Sequence, residues 1–180
     1  MALKATIFKA ELAVSDLDRG HFATHPLTIA RHPSETDERM MVRVLAFALN
    51  ADERLSFGRG LSSEDEADLV LTDLTGAIDL WIDVGLPDER EIRKASGRAA
   101  RVAVYLYGTG AELWWKQNAA AMERLTNVAV VEIPLEATRA LAARAARTMK
   151  LQCTVQEGHV WISDDESSIA IEPLVRKAAA

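Results

Sequence analysis

The sequence predicts an α/β protein with a mixed central sheet and flanking helices, extended by an N-terminal and a C-terminal β-hairpin. Three observations carry that prediction. A long alternating segment opens the chain. Short apolar runs then interleave with amphipathic stretches. A second alternating pair, joined through Glu157-Gly158, closes it. A composition 49% hydrophobic and 27% charged supports a packed core and excludes an intrinsically disordered chain. With 180 residues and no linker, repeat or composition break, residues 1–180 read as one domain.

In order, 3–14 alternates apolar with polar residues, Asp18-Arg19-Gly20 supplies turn chemistry, and a second strand runs through Phe22 and Leu27 to Ile29. His32-Pro33-Ser34 stops it, and Ser34 is the expected N-cap of a helix over about 35–50. Met41, Val44, Leu45 and Ala48 form that helix's apolar stripe, and Glu38 falls on the same stripe. A short strand near 55–59, an acidic loop at 62–66 and a strand at 68–71 follow. In the strand 78–84, Asp79, Trp81 and Asp83 share one face, with Ile78, Leu80, Ile82 and Val84 on the other. Pro87 opens a helix carrying Arg90, Arg93, Lys94, Arg98 and Arg101, a basic surface in an otherwise acidic chain. A strand at 102–107, a helix at 111–125, a strand at 128–133 and an Ala-rich helix at 135–149 come next. The closing hairpin, a last strand at 168–172 and a frayed tail from 176 end the chain. On the helix at 111–125, one of Trp114 and Trp115 is expected in the core and the other in a surface groove.

A net charge of -6 argues against tight wrapping around nucleic acid but leaves room for a local basic groove. The single cysteine, Cys153, excludes an intramolecular disulfide and a cysteine zinc site, and reads as a small buried apolar residue. No apolar segment approaches membrane-spanning length, so a cytoplasmic location and no membrane partner are expected.

The chemistry concentrates between Asp68 and Lys94. Asp68 and Asp83 fall on adjacent strands, and two neighbouring carboxylates with one from a packed helix are the hard oxygen donors that a cation such as Mg²⁺ takes. A nearby lysine would orient water and offset charge building on a phosphate. The stretch from Ile78 to Arg90 leading into Arg93-Lys94-Ala95, and the stretch from Ala30 to Met41, resemble the signature of YaeQ-like bacterial proteins. The opening from Met1 to Ile7 and the segment from Arg147 to Gln156 match as well, so the resemblance spans essentially the whole chain. It implies a restriction-endonuclease-like core of the PD-(D/E)xK superfamily, in agreement with the α-β-β-β-α-β order over about 35–107. It also implies Asp68 and Asp83 as metal-binding acids, with Glu38, and next Glu35, as the helix acid. The sequence departs from the pattern at Gly85, where a lysine is usual, and at Ala67, where a proline is usual; Lys94 on the following helix is the replacement lysine.

Two functions follow as expectations. The first is a Mg²⁺-dependent phosphodiesterase acting on nucleic acid, with Asp68, Asp83, Glu38 and Lys94 catalytic and Arg93, Arg90 and Glu35 contacting substrate. The second is a catalytically inactive regulatory module on the same scaffold, binding nucleic acid or protein. Each residue also has a plainer reading. Asp83 can be an edge residue or a partner of the basic helix, Asp68 part of the solvated acidic loop, Glu38 a helix-dipole charge and Lys94 one of several surface cations. Asp79 reads as structural support and His32 as a local contact before its helix.

Overall fold

The computed structural model describes residues 4–60 and 65–180; the opening residues 1–3 and most of the predicted acidic loop at 62–66 lie outside the described residues. Eleven strands and four helices form two sheets among the described residues. The strands are β1 (Thr6–Asp16), β2 (His21–Arg31), β3 (Leu55–Phe57), β4 (Leu69–Thr72), β5 (Ile78–Val84), β6 (Ala99–Leu106), β7 (Val128–Glu132), β8 (Thr148–Gln156), β9 (His159–Ser163), β10 (Ser168–Ile171) and β11 (Leu174–Lys177). The helices are α1 (Asp37–Leu49), α2 (Glu89–Arg98), α3 (Ala111–Glu123) and α4 (Leu135–Ala142).

One sheet runs β10-β9-β8-β1-β2, the other β11-β7-β6-β5-β4-β3. The first joins the two ends of the chain: β1 and β2 form the expected hairpin, and β1 pairs in parallel with β8. Its alternating residues Phe8, Leu12, Leu27, Ile29, Leu151 and Val160 bury one face in a shared core. The second sheet is a mixed one. β4 and β5 are an antiparallel hairpin, while β5, β6 and β7 are parallel and connected by α2 and α3. Helix α1 is buried along its length from Met40 to Ala48, in one core with α4, the inner face of the first sheet and the Leu80-Ile82-Val84 face of β5. The opposite face of the second sheet, with Trp81, packs with Ile92 and Ala95 of α2 and Trp114 and Met122 of α3.

Several boundaries differ from the expectation. The N-cap of α1 is Thr36, whose Oγ1 accepts from the Arg39 amide at 3.1 Å, and not Ser34. Ser34 instead lies in a turn in which its amide donates to His32 Nδ1 at 3.2 Å, the local contact expected of His32. Helix α4 stops at Ala142, and the following residues pass to β8, where Met149, Leu151, Cys153 and Val155 alternate inward. The tail is not frayed. β11 pairs with β7, and Lys177 is buried with Nζ donating to the carbonyls of Leu125 at 2.9 Å and Val128 at 2.6 Å. Cys153 is buried as expected, and Trp114 is the buried member of its pair, with Nε1 donating to the Pro87 carbonyl at 2.8 Å.

Candidate metal and phosphate site

The hairpin β4–β5 brings Asp68 to the C-terminal end of β5. The Asp68 amide donates to the Ile82 carbonyl at 3.0 Å, and its Oδ2 accepts from the Val84 amide at 2.8 Å. Its Oδ1 accepts from Arg39 Nη2 at 2.7 Å, and the same nitrogen reaches the Val84 carbonyl at 3.4 Å. Two oxygens from neighbouring strands thus converge on one cationic nitrogen from α1. Asp68 is 3% exposed, so it is not part of a solvated loop. Burial pushes its carboxyl above the ordinary range, against the pull of Arg39. Arg39 is held above its own usual value: burial opposes the charge, and Asp68 and Glu35 more than offset it.

Asp83, one residue before Val84, is half-buried. Burial pushes its carboxyl up to about 7, and the Asp68 carboxylate adds to the shift, with a further contribution from Glu91. The two acids therefore feel each other's charge across this strand end.

The acid hydrogen-bonded into this cluster is Glu35, just before the helix; Glu38 contacts α4 and, with Glu35, adds to the burial that raises the nearby Tyr107 phenol. Glu35 accepts from Arg39 Nη1 at 3.1 Å and from Arg43 Nε at 2.8 Å and Nη2 at 2.7 Å. Arg43 is fully buried and also donates to the Ala30 carbonyl at 2.9 Å. Glu38 is partly buried and accepts from Thr138 Oγ1 of α4 at 3.4 Å. Tyr107, at the end of β6, is half-buried; burial raises its phenol, with Arg39 pulling the other way. Arg39, Arg43 and Tyr107 were not among the sequence candidates. The spacing of Glu35, Arg39 and Arg43, each four residues from the next, is the signal that could have found the first two.

Gly85 explains the missing lysine. Its φ of 110° is a conformation that side-chain-bearing residues rarely adopt, and its amide donates to the Tyr105 carbonyl at 2.9 Å. The chain turns there, so the position suits glycine. Lys94 of α2 pairs with Asp65 at 2.9 Å, and Arg98 reaches the same acid at 3.6 Å. Arg93 is exposed and paired with Glu89 on its own helix, with Nε at 3.0 Å, and Arg90 is exposed. Asp79 pairs with Arg54 at 3.6 Å. Among the described residues, no three His, Cys, Asp or Glu side chains stand together as a ready metal-ligand set.

Comparison with known proteins places the chain among a set of bacterial relatives. A family profile described as YaeQ protein matches residues 1–173. A protein named uncharacterized protein YaeQ from Escherichia coli (strain K12) is 49% identical over 172 residues, covering 95% of each chain. The crystal structure of YaeQ from Xanthomonas axonopodis pv. citri superposes with a TM-score of 0.93 at 52% identity, covering 97% of this chain and 99% of that one. YaeQ from Pseudomonas syringae superposes at 0.92 with 37% identity, covering 97% of each.

Proposed function

The chain belongs to the YaeQ family, and from that premise we propose that it is a divalent-metal-dependent phosphodiesterase acting on nucleic acid, centred on Asp68 and Asp83. The element order α1-β3-β4-β5-α2-β6 supports a restriction-endonuclease-like core of PD-(D/E)xK type. The observation that carries the reading is the pair of acids at one strand end, where burial first and the Asp68 carboxylate second push Asp83 up to about 7. A buried carboxylate pair of this kind calls for a cation. Mg²⁺ is commonly held by one or two carboxylates, with waters and substrate phosphate filling the rest. Asp68, Asp83 and the Val84 carbonyl fit that donor set, provided Arg39 withdraws from Asp68 Oδ1. The ion, when bound, supplies Lewis acidity and an activated water.

The chain's own groups do the rest. Asp68 and Asp83 would hold the cation, and Glu35, held by Arg43, would keep a carboxylate on Arg39 so that its charge stays beside the phosphate. Lys94, Arg93 and Arg90 of α2 present cations to the polymer backbone, and Glu38 supports α1 from the α4 side. No helix among the described residues is long and apolar enough to cross a membrane, and a cytoplasmic setting belongs to this proposal. A second reading, a binding module without hydrolysis, is favoured by one observation: Arg39 already supplies a cation where oxygens from two strands converge.

Calorimetric titration with Mn²⁺, beside a cleavage assay on DNA and RNA in Mg²⁺ or Mn²⁺, separates the two. The phosphodiesterase predicts one bound equivalent and cleavage, both lost in Asp83→Asn. It also predicts affinity that rises between pH 6 and 8 as Asp83 gives up its proton. Nucleic-acid binding that persists in Asp83→Asn, with no metal uptake by the wild type, establishes the module instead.

A further inference from the structure

A second cluster lies away from the acids, where β2 of the first sheet approaches β3 of the second. His21 and His25 sit four residues apart on β2, with their Nε2 atoms 2.9 Å apart. Their rings are 13° from parallel with centroids 5.2 Å apart. That separation is about the nitrogen–nitrogen distance plus one ring radius at each end, so the two nitrogens point directly at one another. One Nε2–H must then donate to the other, bare Nε2, because two protonated nitrogens would face each other hydrogen to hydrogen. His25 in particular is lowered by burial and then by its neighbour His21.

We propose that His21 and His25 form a binding site for a borderline d-block cation such as Zn²⁺. Neutral imidazole is the ligand these ions prefer, and for both Nε2 atoms to ligate the donating ring moves its proton to Nδ1, so that both rings stay neutral. With zinc–nitrogen bonds of about 2.0–2.1 Å at a tetrahedral angle, the two nitrogens would stand roughly 3.3 Å apart. The pair, now at 2.9 Å, needs to open by only about 0.4 Å and tilt. His21, partly exposed next to the β1–β2 turn, is the ring that can yield. His25 is 6% exposed and set edge-on against Phe47 at 5.3 Å, which fixes its direction. An entry path exists: His25, Asp52 and Glu53 line a groove of about 490 Å³ whose wall also includes Phe47 and Phe57. Among the described residues, no third protein ligand is in place beside the imidazoles. Water fills the remaining positions, or Asp52 or Glu53 swings in; Asp52 already accepts from the Arg54 amide through Oδ1 at 2.8 Å.

The test is calorimetric titration of the whole protein with Zn²⁺ at pH 7.5, with Co²⁺ visible absorption as a second readout. Wild type is expected to bind one equivalent at this site. His21→Ala, which removes the partly exposed ring and leaves the buried one, should weaken that binding at least tenfold, and Asp83→Asn should leave it unchanged. Lowering the pH to 5 should weaken it as well, since protonated imidazole cannot ligate. No binding by wild type overturns the proposal. So does binding that His21→Ala leaves intact, or that Asp83→Asn removes while His21→Ala does not.

Discussion

Replacing Arg43 by Met tests the buried charge network beneath the candidate site. Arg43 is 0% exposed and makes three hydrogen bonds, two to the Glu35 carboxylate and one to the Ala30 carbonyl. Hydrogen bonds to charged groups contribute about 1.5–3 kcal/mol each. Met keeps most of the side-chain volume, so the loss is electrostatic and not a cavity. Glu35 would be left inside the protein with only the 3.1 Å contact to Arg39. Breaking one partner out of such a pair costs about 3–5 kcal/mol. For a chain of this size, each kcal/mol moves Tm by about 2–4 °C, so a fall of roughly 6–20 °C is expected. Urea unfolding should show a lower midpoint at unchanged m-value, the sign of lost stability without a change in the denatured state. Adding Glu35→Leu should restore much of the loss, because the stranded charge goes with it. A single variant that loses less than about 1 kcal/mol, or a double variant as unstable as the sum of its parts, would refute this account of the network.

Two further outcomes follow from the site. Because Asp83 is pushed up to about 7 in the folded protein, the native state holds a proton there that the unfolded chain has released. Stability should therefore fall as pH rises from about 4 to 7, and Asp83→Asn should flatten the profile. That variant should exceed wild type at pH 8 by on the order of 1–3 kcal/mol, and parallel urea midpoints for the two proteins would show that Asp83 titrates normally. Gly60→Ala should destabilise by about 1–3 kcal/mol. At a φ of 83°, its new Cβ would meet the Ala30 carbonyl at 2.8 Å and Glu35 Oε2 at 2.9 Å. Gly85→Ala, at a φ of 110° in open space, carries only the backbone strain and should cost less; equal thermal shifts would remove the packing argument.

The sequence exposed most of the elements because their periods were clean. The alternation of Phe8, Ala10, Leu12 and Val14 gave β1, and the mixed strand-and-helix order gave the α/β class. What it could not expose depends on contacts distant along the chain. Nothing in 174–177 announces that it will pair with β7, and nothing in β1 names β8 as its parallel neighbour. The same holds at the site. Asp68 and Asp83 were legible as acids on neighbouring strands, whereas the choice between Glu35 and Glu38 depends on where α1 begins, and Thr36 as its N-cap decides that. Arg39 and Arg43 sit within a helix whose apolar neighbours dominate the pattern. Charges of this kind reveal their role only when the acids they pair with are brought alongside.

The parallel pairing of β1 with β8 has a consequence for how the molecule is made. The first sheet cannot be completed until β8, β9 and β10 have left the ribosome. At bacterial synthesis rates, the roughly 130 residues between the two strands take on the order of ten seconds to appear. During that interval the β1–β2 hairpin exists with both edges open, that of β1 awaiting β8 and that of β2 remaining an edge in the finished sheet, and with an apolar face uncovered. Helix α1, following directly in sequence and packed in the same core, is the first described element able to cover that face. In the finished molecule β8 closes the edge of β1, so the cover that α1 gives the apolar face can form well before that edge is paired.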